Sequence, residues 1–354
     1  MNTHYFYPLH LESSLHETIW GGRRLSEDGW KRLPEGDIAI GESWETEVST
    51  IVQNGPYQGK TLGFLVEQLG ESLLGTQAVA IFGQRFPLLA KFIDANAQLS
   101  VQVHPKDDYA HIHEGGKLGK TEFWYILKAE PGATIVHGFK QQTNSVAVHE
   151  AIQSVTLDTL MHEEPVQAGD VVFVPAGTVH AIGGGILLYE LQEYSDITYR
   201  MYDYGRLSAT GIPRELHIDR SLAVSHYTAS PQIKMQPIIV TQNAQYEDRC
   251  LVACKYFVAH EIRLQAQGHE GGGFEGQTSD SCVIISSLGA DASISYGDAL
   301  AQSEKISRGQ SMVLPAALGR YRIEGHGSLL FSYVPEPGDI AWQQWAQQNK
   351  AVAL

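Results

Sequence analysis

The chain has 354 residues, a formal net charge of −15 and 18% charged residues. An acid surplus of this size argues against non-specific nucleic-acid binding, so any anionic ligand must find a locally basic pocket. No apolar run approaches the ~18 residues of a membrane span, MNTHYFYPLHLESS carries no signal-peptide pattern, and Cys250, Cys254 and Cys282 lack the spacing of a disulfide framework, which predicts a cytoplasmic protein with no nucleic-acid or membrane partner.

The length suits two domains or one large β-rich one. The opening eighty or so residues read as mixed structure. Within them TLGFLVEQLGESLLG sets Leu62, Leu65, Val66, Leu69 and Leu73 on one helical face. FPLLAKFIDANAQLSVQVHP opens a β-rich region that runs to about Arg206, with short alternating segments parted by Gly, Pro, Asn and Asp. GRLSATGIPRELHIDRSLAVSHY reads as a connector whose later part is helical. Short strands resume from about Thr241, and DIAWQQWAQQNK predicts a closing helical turn or two. Cys250 and Cys254 lie in the apolar LVACKYFV and are expected in the core.

One supersecondary unit occurs twice. GDVVFVP (169–175) and GQSMVLP (309–315) share Gly and Pro at the same spacing, and each leads through a turn into another apolar strand, ILLYELQ or SLLFSYV. Two copies predict two related β-barrels. They differ where chemistry is expected: PAGTVH ends in His180, whereas PAALGR has Arg320 at the matching place.

Strand periodicity gathers the candidate site. In Leu99–His104, Ser100, Gln102 and His104 share one face, and in KTEFWYIL, Lys120, Glu122, Trp124 and Ile126 share another. His180 sits at a turn just past an apolar strand. Each of these alone suits a hydrogen-bonded structural group. Two imidazoles, a carboxylate and an amide together suit a divalent metal, with Zn²⁺ first and Mn²⁺, Fe²⁺ or Co²⁺ as alternatives. Lys120 and Arg200 face the same interior, and a metal beside cations suits a phosphorylated, oxygen-rich substrate. His111 and His113 occupy a polar loop and are not read as ligands. Tyr194, Tyr199, Tyr202, Tyr204, Trp20 and Trp124 read as core and wall packing. Lys106 and Lys117 read as surface lysines. The glycine runs at 183–185 and 271–273 lack the following helix and lysine of a phosphate loop.

Gly169, Pro175, Gly177 and His180 match the second motif of cupins. IWGG, IGESWE, FPLLAKFIDANAQLSVQVHPKDDYA, GKTEFWYIL, PAGTVHAIGGGILLYELQEYSDITYRMYDYGR, LHIDRSL and CKYF, in that order, make the chain resemble the type I mannose-6-phosphate isomerases in their compact bacterial form. The resemblance implies a mainly β, bicupin fold of two cupin-like jelly-roll barrels with a few helices. It places a catalytic domain with added N-terminal elements and the helical connector in 1–235, and a second barrel without metal ligands in 236–354. It implies interconversion of mannose 6-phosphate and fructose 6-phosphate through an enediol, with one Zn²⁺ per chain. The ligand set carried over is Gln102, His104, Glu122 and His180, with the amide oxygen of Gln102 the weakest donor. Lys120, Asp196 and Arg200 are the implied catalytic residues, the last two from the element Ser195, Asp196 and Arg200.

Their roles are open at this stage. Arg200 suits phosphate or a developing oxyanion. Asp196 shares strand parity with Arg200 if that strand is regular, as a base or as a group orienting Arg200. Lys120 beside a metal is a base, since neighbouring positive charge disfavours its ammonium form, or a phosphate-binding cation. Lys106 after the His-Pro step, where relatives carry an acid, and the loop around His111 and His113 depart from the family pattern without touching the ligands. Two competing readings are another metal-dependent cupin enzyme, such as an oxygenase, and a non-catalytic sugar-phosphate-binding protein.

Overall fold

A computed structural model describes residues 6–207, 211–229, 232–265 and 272–350. The fold is mainly β, as expected. In the N-terminal half the strands are β1 (Leu9–His10), β2 (Ser14–Gly22), β3 (Ile40–Trp44), β4 (Leu88–Ala95), β5 (Val101–Val103), β6 (Glu122–Ala129), β7 (Thr134–Phe139), β8 (Met161–Pro165), β9 (Val171–Val174), β10 (His180–Ile182), β11 (Ile186–Glu193) and β12 (Tyr199–Tyr202). The C-terminal half adds β13 (Ile238–Gln242), β14 (Tyr246–Ala253), β15 (Val258–Leu264), β16 (Gly272–Gln277), β17 (Val283–Ser287), β18 (Asp291–Tyr296), β19 (Gln302–Ile306), β20 (Ser311–Leu314) and β21 (Arg320–Tyr333).

Two antiparallel sheets build the N-terminal half, in the orders β2-β3-β4-β11-β6-β9 and β12-β5-β10-β7-β8. β4 (LLAKFIDA) and β11 (ILLYELQE) are buried along their whole length. Strands covered on both faces lose the usual apolar–polar alternation, which is why both strands carry apolar residues at successive positions. One face, with Ile93, Trp124, Val172 and Leu188, packs into the interior of this half. The other, with Phe123, Phe173, Leu187 and Tyr189, packs against Cys254, Phe257 and Leu330 of the C-terminal half. The three cysteines are free and buried.

The repeated unit follows the same course in both halves. After β9 the chain turns into β10, which joins the five-stranded sheet, then crosses through Gly183–Gly185 into β11 of the six-stranded sheet. After β20 the single long β21 does both jobs. Its Arg320–Gly325 portion pairs with β16 and β18, and its later portion pairs with β15 and β17. The bend between them falls at Gly327, which has φ 96° and a backbone so close that an added Cβ would sit 2.5 Å from the Gly289 carbonyl oxygen. The N-terminal segment reaches across to the C-terminal half: Leu9 of β1 pairs with Val313, and Cys282 N–H donates to the Leu74 carbonyl.

The predicted apolar helical face is buried, but Gly70 and Gly75, both at positive φ, divide it into helices Leu62–Leu69, Glu71–Leu74 and Thr76–Phe82. The connector carries a helix at Ile218–Val224 and the tail one at Ile340–Gln348. Of the second glycine run, Gly272 and Gly273 open β16, and Gly271 lies outside the described residues. Among the described residues no helix is long and apolar enough to cross a membrane.

Candidate metal centre and the cavity above it

The strand register lines up the site. His180 lies directly opposite Gln102 on one side and His137 on the other, and Gln102 lies opposite Arg200. Residues directly opposite across antiparallel strands share a face, so four polar side chains from four strands form one row on the inner face of the five-stranded sheet. The six-stranded sheet answers with Glu122 opposite Gln192, and with Glu190 flanked by Trp124 and Lys91.

The PAGTVH turn sets His180 at the start of β10. Gly177 holds φ 92°, and a Cβ there would sit 2.7 Å from Nε2 of His226. Its N–H donates to the His104 carbonyl at 2.8 Å and its carbonyl accepts from His226 N–H at 2.7 Å. Only glycine meets both the φ and the space. Gly177→Ala is therefore expected to cost about 1–3 kcal/mol of stability, seen as a lower urea midpoint at unchanged m-value; an unchanged midpoint would contradict this reading of the turn.

Both histidines are oriented from behind. His104 Nδ1 lies 2.7 Å from the Ile197 carbonyl, and His180 Nδ1 lies 2.8 Å from the Thr178 carbonyl. A carbonyl only accepts, so each Nδ1 carries the proton and each Nε2 presents a bare lone pair to the interior. Burial, aided at His104 by Lys120, lowers both imidazoles, His180 to about 3, so both are neutral near pH 7. Between them lies Glu122, with Oε1 3.3 Å from His180 Nε2 and Oε2 3.6 Å from His104 Nε2. The three residues are 1% exposed or less, and neither Glu122 oxygen receives a hydrogen bond of acceptable geometry.

Three acceptors thus converge within 4.8 Å of one another in a buried site. That arrangement is costly unless a cation joins them. Burial and the neighbouring Glu190 push the Glu122 carboxyl up to about 7, the strain that positive charge between the donors would relieve. Lys120 Nζ supplies part of that charge, 2.7 Å from Glu122 Oε2 and 3.3 Å from His104 Nε2. Two neutral imidazoles and a carboxylate, with outer N–H groups anchored, fit a divalent ion of the Zn²⁺ type. Gln102 reaches the same place, its amide nitrogen 3.3 Å from His180 Nε2. Rotating the amide by half a turn brings its oxygen there instead.

Above these donors opens a cavity of about 780 Å³, lined by Gln102, Lys120 and Arg200 together with Lys91, Glu190 and Arg214. Glu190 and Lys91 are the main site residues that strand periodicity and family resemblance leave out. Burial works against the ionised form of Glu190, but Lys120, Lys91 and the Trp124 N–H outweigh it and hold the carboxyl below its usual range. Trp124 Nε1 donates to Glu190 at 3.0 Å, so this ring also positions a carboxylate and is more than packing. Lys91 bridges Glu42 at 3.3 Å and Glu190 at 3.4 Å. The signal for both is a charge that interrupts an apolar stretch, Lys91 in LLAKFI and Glu190 in ILLYEL. Arg214, by contrast, lies in the irregular connector, where no periodicity marks it.

Arg200 donates from Nη1 to the Glu215 carbonyl at 2.9 Å, leaves Nε without a partner, and has no carboxylate within ion-pair distance among the described residues. The neighbouring Arg214 is already taken by Asp203, at 2.8 Å and 2.5 Å. Arg200 is therefore a half-buried guanidinium with donors to spare beside the cavity.

Asp196 is not brought to this cavity. It is exposed, pairs with Lys117 at 2.8 Å, and lines a separate depression with Trp44 and Tyr194. The parity argument requires a regular strand, but β12 begins only at Tyr199. The segment before it serves His104 instead, through the Ile197 carbonyl. An exposed pair of this kind contributes little, so Asp196→Asn should leave stability within about 0.5 kcal/mol and turnover within about twofold. A loss of turnover above tenfold would restore Asp196 as a catalytic group.

Among the described residues, His104, Glu122 and His180 are the one group of His, Cys, Asp and Glu with metal-ligand spacing. His111 and His113 lie on a surface helix, Asp107–His113, where His113 packs on Tyr109 with ring centroids 4.1 Å apart. Arg320, at the matching place in the second half, is exposed and pairs with Glu275 at 2.8 Å.

Comparison with known proteins agrees with this geometry. The profile described as "Phosphomannose isomerase type I, catalytic domain" matches residues 9–162. "Mannose-6-phosphate isomerase ManA" of Bacillus subtilis (strain 168) is 36% identical over 334 residues, covering 92% of this chain and 99% of its own. "Mannose-6-phosphate isomerase" of Streptococcus mutans is 33% identical over 333 residues, covering 93% and 99%. The crystal structure of the mannose 6-phosphate isomerase from Bacillus subtilis superposes with a TM-score of 0.80 at 30% identity, over 92% of this chain and 99% of that one. With relatives this similar along nearly their whole length, the chain belongs to the type I phosphomannose isomerase family.

Proposed function

We propose that the protein interconverts mannose 6-phosphate and fructose 6-phosphate, moving a proton between C1 and C2 through an enediol, with one Zn²⁺ per chain held by His104, Glu122 and His180 and with Gln102 turned toward it. The observation that carries this reading is the convergence of two proton-free Nε2 atoms on a buried carboxylate that has only Lys120 as an ion-pair partner among the described lysines and arginines, beneath a cavity walled by Lys91, Lys120 and Arg200. A divalent ion at that point supplies a Lewis acid for the oxygens on C1 and C2.

The other steps belong to the chain's own groups. Arg200 is the charge-stabilising residue at the reacting end. Its backbone pairs with Gln102, which in turn pairs with His180, so the guanidinium lies one strand from the ligands. Lys120 is the proton carrier that the geometry favours. It is buried and lines the cavity, and Glu122 at 2.7 Å and Glu190 at 3.7 Å hold its Nζ at the wall where the substrate carbons would lie. Lys91 and Glu190 keep this wall charged.

The chain is read as two cupin-like jelly-roll barrels, 1–235 carrying the site and 236–354 without metal ligands, with β1 and the helices of the first eighty residues buttressing the second barrel. Three buried free thiols suit the reducing cytoplasm. Following mannose 6-phosphate by ¹H NMR in the presence of the purified, zinc-loaded protein tests the reaction. Fructose 6-phosphate should accumulate to a fixed equilibrium ratio from either side, and unchanged spectra would reject the assignment.

A further inference from the structure

The C-terminal half encloses a second cavity, of about 320 Å³, a size at the lower end of small-ligand pockets. It lies between the two layers of that half, the place that the catalytic cavity occupies in the other. Phe274 and Tyr321 wall one side, and His260, Phe331 and Tyr333 the other. His260 is opposite Phe331 in the register, so both face inward.

His260 is the group that asks for a ligand. Its Nδ1 lies 2.6 Å from Asp248 Oδ1. A carboxylate can only accept, so Nδ1 carries a proton, and in the neutral imidazole Nε2 is the acceptor. The side chain is 9% exposed, and Nε2 has no hydrogen-bond partner among the described residues. A buried acceptor left unmatched is costly, and here it borders an aromatic-walled space. The Tyr333 ring stacks on the imidazole with centroids 5.9 Å apart, and Phe274 meets Phe331 edge-on at 5.4 Å.

Charge narrows the ligand. Among the described residues no lysine or arginine lines this cavity, and Asp280 and Glu336 stand at its rim, so a phosphorylated ligand is repelled. The inner carboxylates are already engaged. Asp248 accepts from His260, and Asp339 accepts from the Tyr333 hydroxyl and the Trp342 N–H, each at 2.8 Å. The interior therefore calls for a hydrogen-bond donor without calling for a cation.

We propose that this cavity is a binding site for a neutral, hydroxyl-bearing ring of monosaccharide size, with one hydroxyl donating to His260 Nε2 and an apolar ring face against the aromatic walls. The half that carries the chemistry walls its cavity with cations, whereas this half walls its own with aromatic rings and carboxylates.

The test uses the full, metal-loaded chain and unphosphorylated D-mannose as probe, with binding followed by calorimetry and ligand-observed NMR. Two variants report on the site: His260→Ala, and Ser279→Trp, which fills the cavity from an exposed rim position and spares the fold. D-Mannose should bind with a Kd on the order of millimolar, and both variants should weaken it by about tenfold or more, while mannose 6-phosphate turnover stays within about twofold. If His260→Ala does not fold, Ser279→Trp alone decides. Equal D-mannose affinity in wild type and Ser279→Trp would overturn the proposal by placing the sugar elsewhere. So would an absence of binding up to about 50 mM, or binding of choline in place of D-mannose.

Discussion

His180→Ala will lose metal and turnover together. His180 supplies one of three donors, it is fully buried, and its Nδ1 is fixed by the Thr178 carbonyl. Without it, Glu122 and His104 hold the ion with one imidazole and one carboxylate, too few for a structural grip on Zn²⁺. Lewis-acid stabilisation is worth several kcal/mol, so turnover should fall by about 10³-fold or more. The substitution also removes a buried hydrogen bond and leaves a cavity, which should lower stability by about 1–3 kcal/mol. Circular dichroism and metal analysis on the same preparation separate unfolding from ligand loss. Turnover retained in a folded, metal-free His180→Ala protein would remove the metal from the mechanism.

Arg200→Lys separates binding of the metal from use of it. Arg200 has no carboxylate partner among the described residues and is not among the convergent donors, so metal content should remain at one equivalent. What the substitution removes is a planar fork of donors facing the cavity, and a lysine's point charge does not replace it. The loss of one such donor group from a charge-stabilising position is worth about 10²–10³ in kcat. The expected split is a fall in kcat with KM changed by less than about tenfold. A rise in KM with kcat intact would move Arg200 to the phosphate end of the substrate. An inactive protein that has also lost its metal would make Arg200 a structural support of the ligand set.

Much of the site is legible in the sequence because strands have period two and the ligands sit at or beside strand ends. Gln102 alternates with Val101 and Val103, and Glu122 heads β6, so the alternation alone assigns their faces. His104 lies one residue past β5 and is aimed by a loop, through Ile197. The family resemblance identifies it as a ligand, but periodicity gives no account of that anchor. Asp196 shows where the rule fails: parity carries no information across the irregular stretch before β12. Lys91 and Glu190 show the converse failure. Their strands are buried on both faces because the C-terminal half covers the outer one, so apolar residues occupy both parities and nothing marks the charges as inward.

The repeat is visible as two Gly-to-Pro runs, and both copies follow one strand–turn–strand course. What the sequence hides is the join. The glycine run that separates β10 from β11 has no counterpart break in β21, which passes between layers as one strand bent at Gly327. An O₂-using enzyme on the same fold has no use for the four cations around the cavity, Lys91, Lys120, Arg200 and Arg214, and a binding-only protein has no need of an intact ligand set. The isomerase uses both.

The most direct measurement is a coupled assay with mannose 6-phosphate on the purified protein, before chelation, after chelation and after Zn²⁺ is returned. The account predicts turnover that vanishes with the metal and comes back at about one equivalent per chain. Turnover untouched by complete metal removal would contradict it, as would a protein that holds one equivalent of Zn²⁺ and leaves mannose 6-phosphate unchanged.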